Sequence, residues 1–548
     1  MSARNAVVLV LSLSTLIFLA ACGNNGPTVT QGVAPPSGAF GNGNLNGTYV
    51  FSVSGTDDSG DPYAVVGTID ANGSGGISGG TLDMNDTALT SAIIAAPVNS
   101  GGSYSVGQDG RGTFTINFSG NPFDQNLTFD FVLQNSFHGL VTEFDSNATG
   151  SGTLDVQTAG VTPAGSYAFS FSGATFNGEP FATAGNFTLS GTTATGLEDF
   201  NANSEAITNS NAGYPLSGTI SAEGTATTLA TSSTFGTLTF DVFPIDSSDL
   251  KFIEVDSIAT LVGDAFTEST TMPTGNLVFT LAGDLSSEAP FAAGGIMVTS
   301  GGDITNASSE DYNNGGNVST VPETFTGTYG TGTAGRFSVS LSGFLPATVT
   351  TFVAYPSSGG VLLMETDGGG ITSGAAYAQT AGATFAASQG YGLNLSGLNL
   401  GSSTGSASEI DDIAEFASAA SGTSCTASSG TSYSSDTLTG VTDENSTSGV
   451  TAVGQALCGQ YSGPDSTGRL GVVYYANTTN GGVGLTAYTV DGTTFPFIES
   501  DDGQVSSGVF VQQNASATSS SVAKTHRMFV PPAIFHAHAA KQKRQTSK

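Results

Sequence analysis

Four pairs of acids stand two residues apart in this chain: Glu143/Asp145, Glu254/Asp256, Glu365/Asp367 and Glu499/Asp501. On a β-strand, residues i and i+2 share a face, so each pair sets two carboxyl groups side by side. Carboxyl pairs can do general acid–base chemistry, as in glycoside hydrolysis. Recurrence argues against that use here, since a hydrolase needs one such site. The Asp is instead expected to shape a turn and the Glu to meet a base. Candidate bases are Arg111, Arg336 and Arg469, each preceded by Gly, and Lys251. A surface pair of this kind contributes only about 0–1 kcal/mol.

A second acidic motif, Asp-x-Asn, falls at Asp83/Asn85, Asp199/Asn201, Asp311/Asn313 and Asp443/Asn445. Carboxylates and amide carbonyls could supply oxygen ligands to Ca²⁺, the one cation the composition invites as a cofactor. The plainer expectation is a turn in which both side chains bond nearby backbone. A Ser-His-Asp triad in the body would have to be built on His138, which sits in a turn-like stretch and reads as exposed. The pair His536/His538 near the C-terminus has no third close ligand for a transition metal. No P-loop, dinucleotide fingerprint or GxSxG elbow is present, and the chain is read as a non-enzyme.

These motifs belong to repeating frames. Seven residues after each Asp of E-x-D comes Gly152, Gly263, Gly374 or Gly508, and five further stands Gln157, Glu268, Gln379 or Gln513. Another frame opens each copy: Tyr49-x-Phe51-x-Val53-x-Gly55, Tyr167-x-Phe169-x-Phe171-x-Gly173, Leu277-x-Phe279-x-Leu281-x-Gly283 and Tyr391-x-Leu393-x-Leu395-x-Gly397. In the first three copies Pro62, Pro180 and Pro290 follow, with Gly67, Gly185 and Gly295 five beyond. The chain therefore holds four copies of a unit of about 110 residues, longer than solenoid periods, so each copy is expected to hold its own core as one domain in a string.

Within a unit the apolar residues alternate. "GTFTINF" sets Phe114, Ile116 and Phe118 on one face, and "NLTFDFVL" sets Leu127, Phe129, Phe131 and Leu133 on one face, the period of a half-buried strand. Unit one offers eight such runs, near 48–54, 62–70, 76–83, 102–107, 112–119, 126–133, 138–145 and 151–158. Only "EIDDIAEFASAA" (409–420) has any helical periodicity. The fold class is all-β, four tandem antiparallel domains. Eight-stranded up-and-down barrels are favoured because closure removes sheet edges, and β-sandwiches are the alternative. The expected division is 44–160, 161–269, 270–381 and 382–515, with a linker at 22–43 and a basic tail at 516–548.

Composition supports this. The 34 Phe and 15 Tyr are too many for a disordered chain. The absence of Trp weakens carbohydrate stacking as a function. Charge is lopsided, with 11 Lys+Arg against 44 Asp+Glu. Arg4 lies in the leader, and Lys524, Arg527, Lys541, Lys543, Arg544 and Lys548 lie in the tail. The body keeps four cations, Arg111, Lys251, Arg336 and Arg469, against all 44 acids. Such a surface excludes nucleic acid as a partner.

The N-terminus carries a charged start, the apolar run "AVVLVLSLSTLIFLA" and then Cys22, the pattern of a secretory signal too short to span a membrane comfortably. "LAACG" resembles the lipobox of bacterial lipoproteins. That resemblance implies cleavage after residue 21, acyl groups on Cys22 including palmitate, and, with Gly23 following, the outer membrane. With tandem β units behind it, the chain resembles repeat-bearing bacterial surface lipoproteins, a group of unknown activity that lends no site residues. Cys425 and Cys458 remain, both in unit four, whose E-x-D spacing is longer than in the other units. In an oxidising compartment they are expected to form a disulfide closing an inserted loop. The leading function is a lipid-anchored, non-catalytic surface protein of adhesion type, its partners the membrane and a surface protein or polymer. Small-ligand binding inside barrels is the alternative, and an extracellular hydrolase the third reading. A filled interior favours the first of these, an open cavity in several units the second.

Overall fold

The computed structural model describes residues 33–517, apart from 124–125, 203–204, 208–212, 221–226, 232–236, 288, 332–333, 402–406, 420–423, 428, 448, 451 and 477–481. Cys22, the signal, His526, His536, His538 and nearly all of the basic tail lie outside the described residues.

Each unit is a ring of eight antiparallel strands in up-and-down order. Barrel 1 runs from Asn46–Asp57 to Ala148–Val156, barrel 2 from Gly165–Thr175 to Ala259–Thr267, barrel 3 from Gly275–Leu285 to Gly370–Ala378, and barrel 4 from Gly390–Asn399 to Gln504–Gln512. In each, the first strand pairs with both the second and the last, so the ring itself has no open edge; short strands at Ile93–Pro97, Glu205–Ile207 and Asn317–Val318 pair onto the third strands outside the ring. The favoured barrel is the observed fold. Unit one departs in its third strand, which is split into Gly76–Ile77 and Thr81–Asp86. Gly80 takes φ +144° there, and a Cβ on it would lie 2.0 Å from the Thr68 carbonyl oxygen. The run with helical periodicity is also strand, Ser408–Ser418: both its faces are covered, so its apolar residues need no two-residue alternation.

The repeated glycines lie where each barrel closes. Gly152, Gly263, Gly374 and Gly508 face Val53, Phe171, Leu281 and Leu395 across the junction of first and last strands. A Cβ at these four would sit 1.6, 2.0, 2.0 and 2.1 Å from a first-strand carbonyl oxygen. No side chain fits at that approach. The prolines of the second frame open the second strands, Pro62–Asn72, Pro180–Ser190 and Pro290–Ser300, where a missing N–H is tolerated.

The barrels are filled, not hollow. Phe51, Phe114, Phe129 and Phe131 pack inside barrel 1, and Phe169, Phe171, Phe240 and Phe252 inside barrel 2. Barrel 3 keeps a cavity of about 20 Å³ among Phe279, Met297, Phe325 and Phe344, room for about one water molecule.

The outer faces of the strands are buried as well, and here the structure corrects the picture of a string of domains. Val50 and Val66 of barrel 1 meet Phe243 and Ile253 of barrel 2. Ala168 and Ala184 of barrel 2 meet Val353 and Leu362 of barrel 3. Ala282 and Ala292 of barrel 3 meet Ile498 and Val505 of barrel 4. Val132 and Leu140 of barrel 1 share a cluster with Ile413 and Val509 of barrel 4. The four barrels thus close a ring through four apolar seams.

Candidate functional site

The polar motifs of the sequence meet at these seams. Each Asp-x-Asn lies on the third strand of its barrel, as in Thr81–Asp86 with Leu82 and Met84 in the core. Alternation therefore turns Asp83 and Asn85 outward, against the next barrel. Asn85 donates to the carbonyl oxygens of Glu254 (2.8 Å) and Ala259 (3.0 Å) in barrel 2. Asn201 donates to Glu365 (3.0 Å) and Gly370 (2.9 Å) in barrel 3. Asn313 donates to Glu499, Asp501 and Gln504 in barrel 4. Asn445 of barrel 4 returns to barrel 1, donating to Glu143 (2.8 Å), Asp145 (3.2 Å) and Ala148 (2.9 Å). The motif is a grip on a neighbouring hairpin, not the local turn expected from its residue types.

The hairpin that is gripped is the E-x-D hairpin. Its Asp does shape the turn: one carboxylate oxygen accepts the N–H two residues on, and the other accepts from the adjacent strand. The pairs are Asn147 and Thr128 for Asp145, Ile258 and Thr239 for Asp256, Gly369 and Thr350 for Asp367, and Gly503 and Gly484 for Asp501. The Glu turns inward, on the strand face that carries Val141, Phe252, Leu363 or Phe497 two residues earlier. Glu143, Glu254 and Glu365 are wholly buried and Glu499 is 1% exposed. Burial raises all four well above the usual carboxylate range, and the Asp two residues on raises them further.

None of these glutamates has the basic partner expected for it. The arginines bind the Asp of Asp-x-Asn instead, across the seams. Arg336 of barrel 3 holds Asp199 of barrel 2 through two bonds of 2.6 and 2.9 Å, with the Tyr355 hydroxyl 2.5 Å from the same carboxylate. Arg469 of barrel 4 holds Asp311 of barrel 3 at 2.7 and 2.8 Å, and Tyr488 donates to it too. Arg111 of barrel 1 reaches Asp443 of barrel 4 at 2.9 Å and Asp109 of its own barrel at 3.1 Å. At the remaining seam barrel 2 has no arginine. Its Lys251 pairs with Asp264 at 2.7 Å; burial alone would lower its pKa, but Asp264 and then Asp155 of barrel 1 hold it above the ordinary value. Every cation of the body thus serves one seam.

The glycine before each arginine is the seat of the preceding barrel's frame residue. Gly110, Gly335 and Gly468 have φ of +84°, +77° and +91°, and a Cβ on them would lie 2.6, 2.1 and 2.5 Å from the side chains of Gln513, Glu268 and Gln379. Gln379 donates to Thr467 and Thr489, and Gln513 to Asp109 and Leu133, all backbone carbonyls of the next barrel. Gln157 likewise reaches the Pro244 carbonyl at 2.9 Å. The sequence shows these residues as spacing marks; their docking role depends on which barrel adjoins which.

His138 is corrected too. It is 1% exposed, and its Nδ1 lies 2.8 Å from Asp155. It occupies the outer face of strand His138–Phe144, which a solitary barrel would leave in water and the ring covers. Among the described residues, no group of three or more His, Cys, Asp and Glu is disposed to hold a metal ion. In barrel 4, Cys425 and Cys458 are joined. The bond pins a small hairpin, Cys425–Thr426 with Ser432–Tyr433, to strand Ala452–Ser462. On that outer side Tyr433 and Tyr475 lie 6.4 Å apart between ring centres.

The sequence matches no family model and no curated protein. Among solved structures, a transferrin-binding protein B variant from Haemophilus parasuis is 9% identical over 69% of this chain and 83% of its own, with a TM-score of 0.16. The isotype 1 transferrin-binding protein B from serogroup B Neisseria meningitidis is 10% identical over 69% and 84%, at 0.15. Intact Ap-TbpB, with its N and C lobes, is 9% identical over 89% and 98%, at 0.17. At such scores the chains do not superpose as wholes, and no function follows from them.

Proposed function

We propose that this chain is a non-catalytic protein of the bacterial cell envelope, anchored through acyl groups on Cys22, outer membrane favoured, and that it presents a rigid ring of β-barrels to a surface protein or polymer. One observation carries this reading: the repeated Asp-x-Asn residues and the frame residues Gln157, Gln379 and Gln513 are engaged in joining barrels to one another, and the barrel interiors are packed with aromatic side chains. An enzyme or a carrier would be expected to keep such residues in a cleft or cavity. Contact with a partner then falls to the loops that vary between units. First among these is the disulfide-pinned addition between Ser418 and Thr437 in barrel 4. The small-ligand alternative has the cavity of barrel 3 in its favour, but the volume admits no organic ligand.

The anchor is tested by fractionation. Cys22→Ala is expected to move the protein from the membrane to the soluble fraction and to abolish acyl labelling. A variant that stays labelled and membrane-bound would refute the lipoprotein reading. Hydrolysis of an ester, glycoside or peptide panel by purified protein, abolished by a single carboxylate substitution, would refute the non-catalytic one.

A further inference from the structure

The E-x-D hairpins combine two facts that belong together. They are the parts of each barrel that the neighbour's Asn grips, and each carries two carboxyl groups two residues apart with no base beside them, hydrogen-bonded to each other in the last three hairpins and interacting through charge in the first. We propose that the four seams are proton-dependent joints: each hairpin holds a neutral glutamic acid against an ionised aspartate, and loss of the shared proton loosens the neighbour's grip and opens the ring.

The geometry defines which member keeps the proton. The Asp accepts backbone N–H groups on both oxygens, as Asp367 does from Thr350 and Gly369 at 2.8 Å each, and such bonds favour the ionised form. Asp367 lies below its ordinary value although burial opposes this, helped by Glu365 and by those N–H groups; burial raises Asp145 to about 6 despite its own N–H bonds, so the first hairpin holds an ionised aspartate only above that pH. Backbone N–H groups also reach Glu254, from Ala259 and Leu261, and Glu365, from Thr372, but there burial outweighs them. Glu365 Oε2 accepts from Thr372 at 2.9 Å, Glu499 Oε2 from Ser506, and Glu254 Oε1 from the Ala259 N–H at 3.2 Å. Charged and titratable groups facing the four are acids and phenols. Asp145, Tyr63 and Asp411 of barrel 4 face Glu143; Asp256 faces Glu254; Asp367 faces Glu365; Asp501, Asp412 and Tyr474 face Glu499. The gripping side adds Asn85, Asn201, Asn313 and Asn445, which carry no charge. Two carboxylates this close in an apolar wall cannot both ionise without strong repulsion.

The sign follows from linkage. A carboxyl group whose pKa is raised on folding stabilises the fold fully below its unfolded value and ceases to do so as pH rises through its folded value. The ring is therefore tight in acid and loosens towards alkali. Other buried acids titrate in the same direction, Glu198 and Glu415 near 8 and Glu310 near 9, so the test must isolate the four. Glutamine keeps the shape of the neutral acid and still donates to the aspartate, but cannot ionise. Thermal melts of the mature chain and of E143Q/E254Q/E365Q/E499Q would be compared at pH 5, 7 and 9. The wild type is expected to lose melting temperature from pH 5 to pH 9, and the variant to lose less, by at least a few degrees. Equal losses overturn the proposal. Should the quadruple variant fail to fold, the infrared carbonyl band of buried carboxylic acid is read at pH 7 in the wild type and in each single Gln variant. Each substitution is expected to remove part of the band; a band unchanged by all four overturns the proposal.

Discussion

A single side chain in this molecule does work that its residue type alone does not disclose. Arg336 is 3% exposed and faces a carboxylate, Asp199, with no exposure at all. Removing one member of a buried pair leaves the other charge without compensation, whereas replacing both with apolar groups can be nearly neutral. Arg336→Met is therefore expected to destabilise the chain by about 3–5 kcal/mol. Arg336→Met with Asp199→Leu should recover part of that loss. Tyr355, which also donates to Asp199, would then lose its acceptor, which limits the recovery. Urea unfolding of the three proteins measures this, and a single variant as stable as the wild type would show that the pair does not hold the seam. The same reasoning explains why a carboxylate-rich chain folds with four body cations: the few it has lie where desolvated aspartates need them.

Strands and hairpins were largely legible in the sequence, because their signals are local. Alternation of Phe114, Ile116 and Phe118 needs only the pleat to place them inward, and all three are in the core of barrel 1. The repeat spacing marked the hairpin aspartates, whose bonds stay within one unit, spanning 2 or 17 residues. What could not be read was the outer face. Val50 and Val66 alternate with core residues as polar residues would on a solitary barrel, and His138 lies on such a face; only the neighbouring barrel gives these positions a reason. Asp-x-Asn failed for the same cause, since its partners lie 100 residues or more away in sequence. The closure glycines are the sharpest test at this scale. Gly263→Ala would place a Cβ 2.0 Å from the Ser170 carbonyl oxygen, whereas Gly330, on a strand of barrel 3, has open space around it. Overpacking a strand junction is expected to cost Gly263→Ala about 3 kcal/mol or more, against about a few tenths for Gly330→Ala. Melting temperatures of the two variants decide this, and equal shifts would mean that the first and last strands separate readily to admit the methyl group.

At the scale of the whole molecule the interfaces are head-to-tail, each barrel offering its third-strand grip to the next barrel's hairpin. Such contacts form open filaments unless the rotation closes. Here it closes after four, through Asn445 to barrel 1 and Arg111 to Asp443. Covalent order therefore places one gap in a ring that is otherwise continuous, between barrel 4 and barrel 1. The two ends of the described residues meet at that gap. Ala515 donates its N–H to Ser37 at 3.2 Å and Gln513 reaches the Leu133 carbonyl at 3.1 Å, and a Cβ on Gly390 would lie 2.6 Å from Pro35. Adjacent ends on a closed assembly tolerate circular permutation. A permutant joining residue 517 to residue 33 by a short Gly/Ser linker, with new ends between Gln157 and Gly165, keeps every seam and breaks only the connection between barrels 1 and 2. It is expected to melt in one transition within a few degrees of the same residues in natural order. Deleting barrel 4 instead removes two seams and exposes Val132, Leu140, Ala282 and Ala292, so that truncation should melt markedly lower. Two separate transitions in the natural chain, or a truncation as stable as the whole, would show four independent barrels in place of one ring.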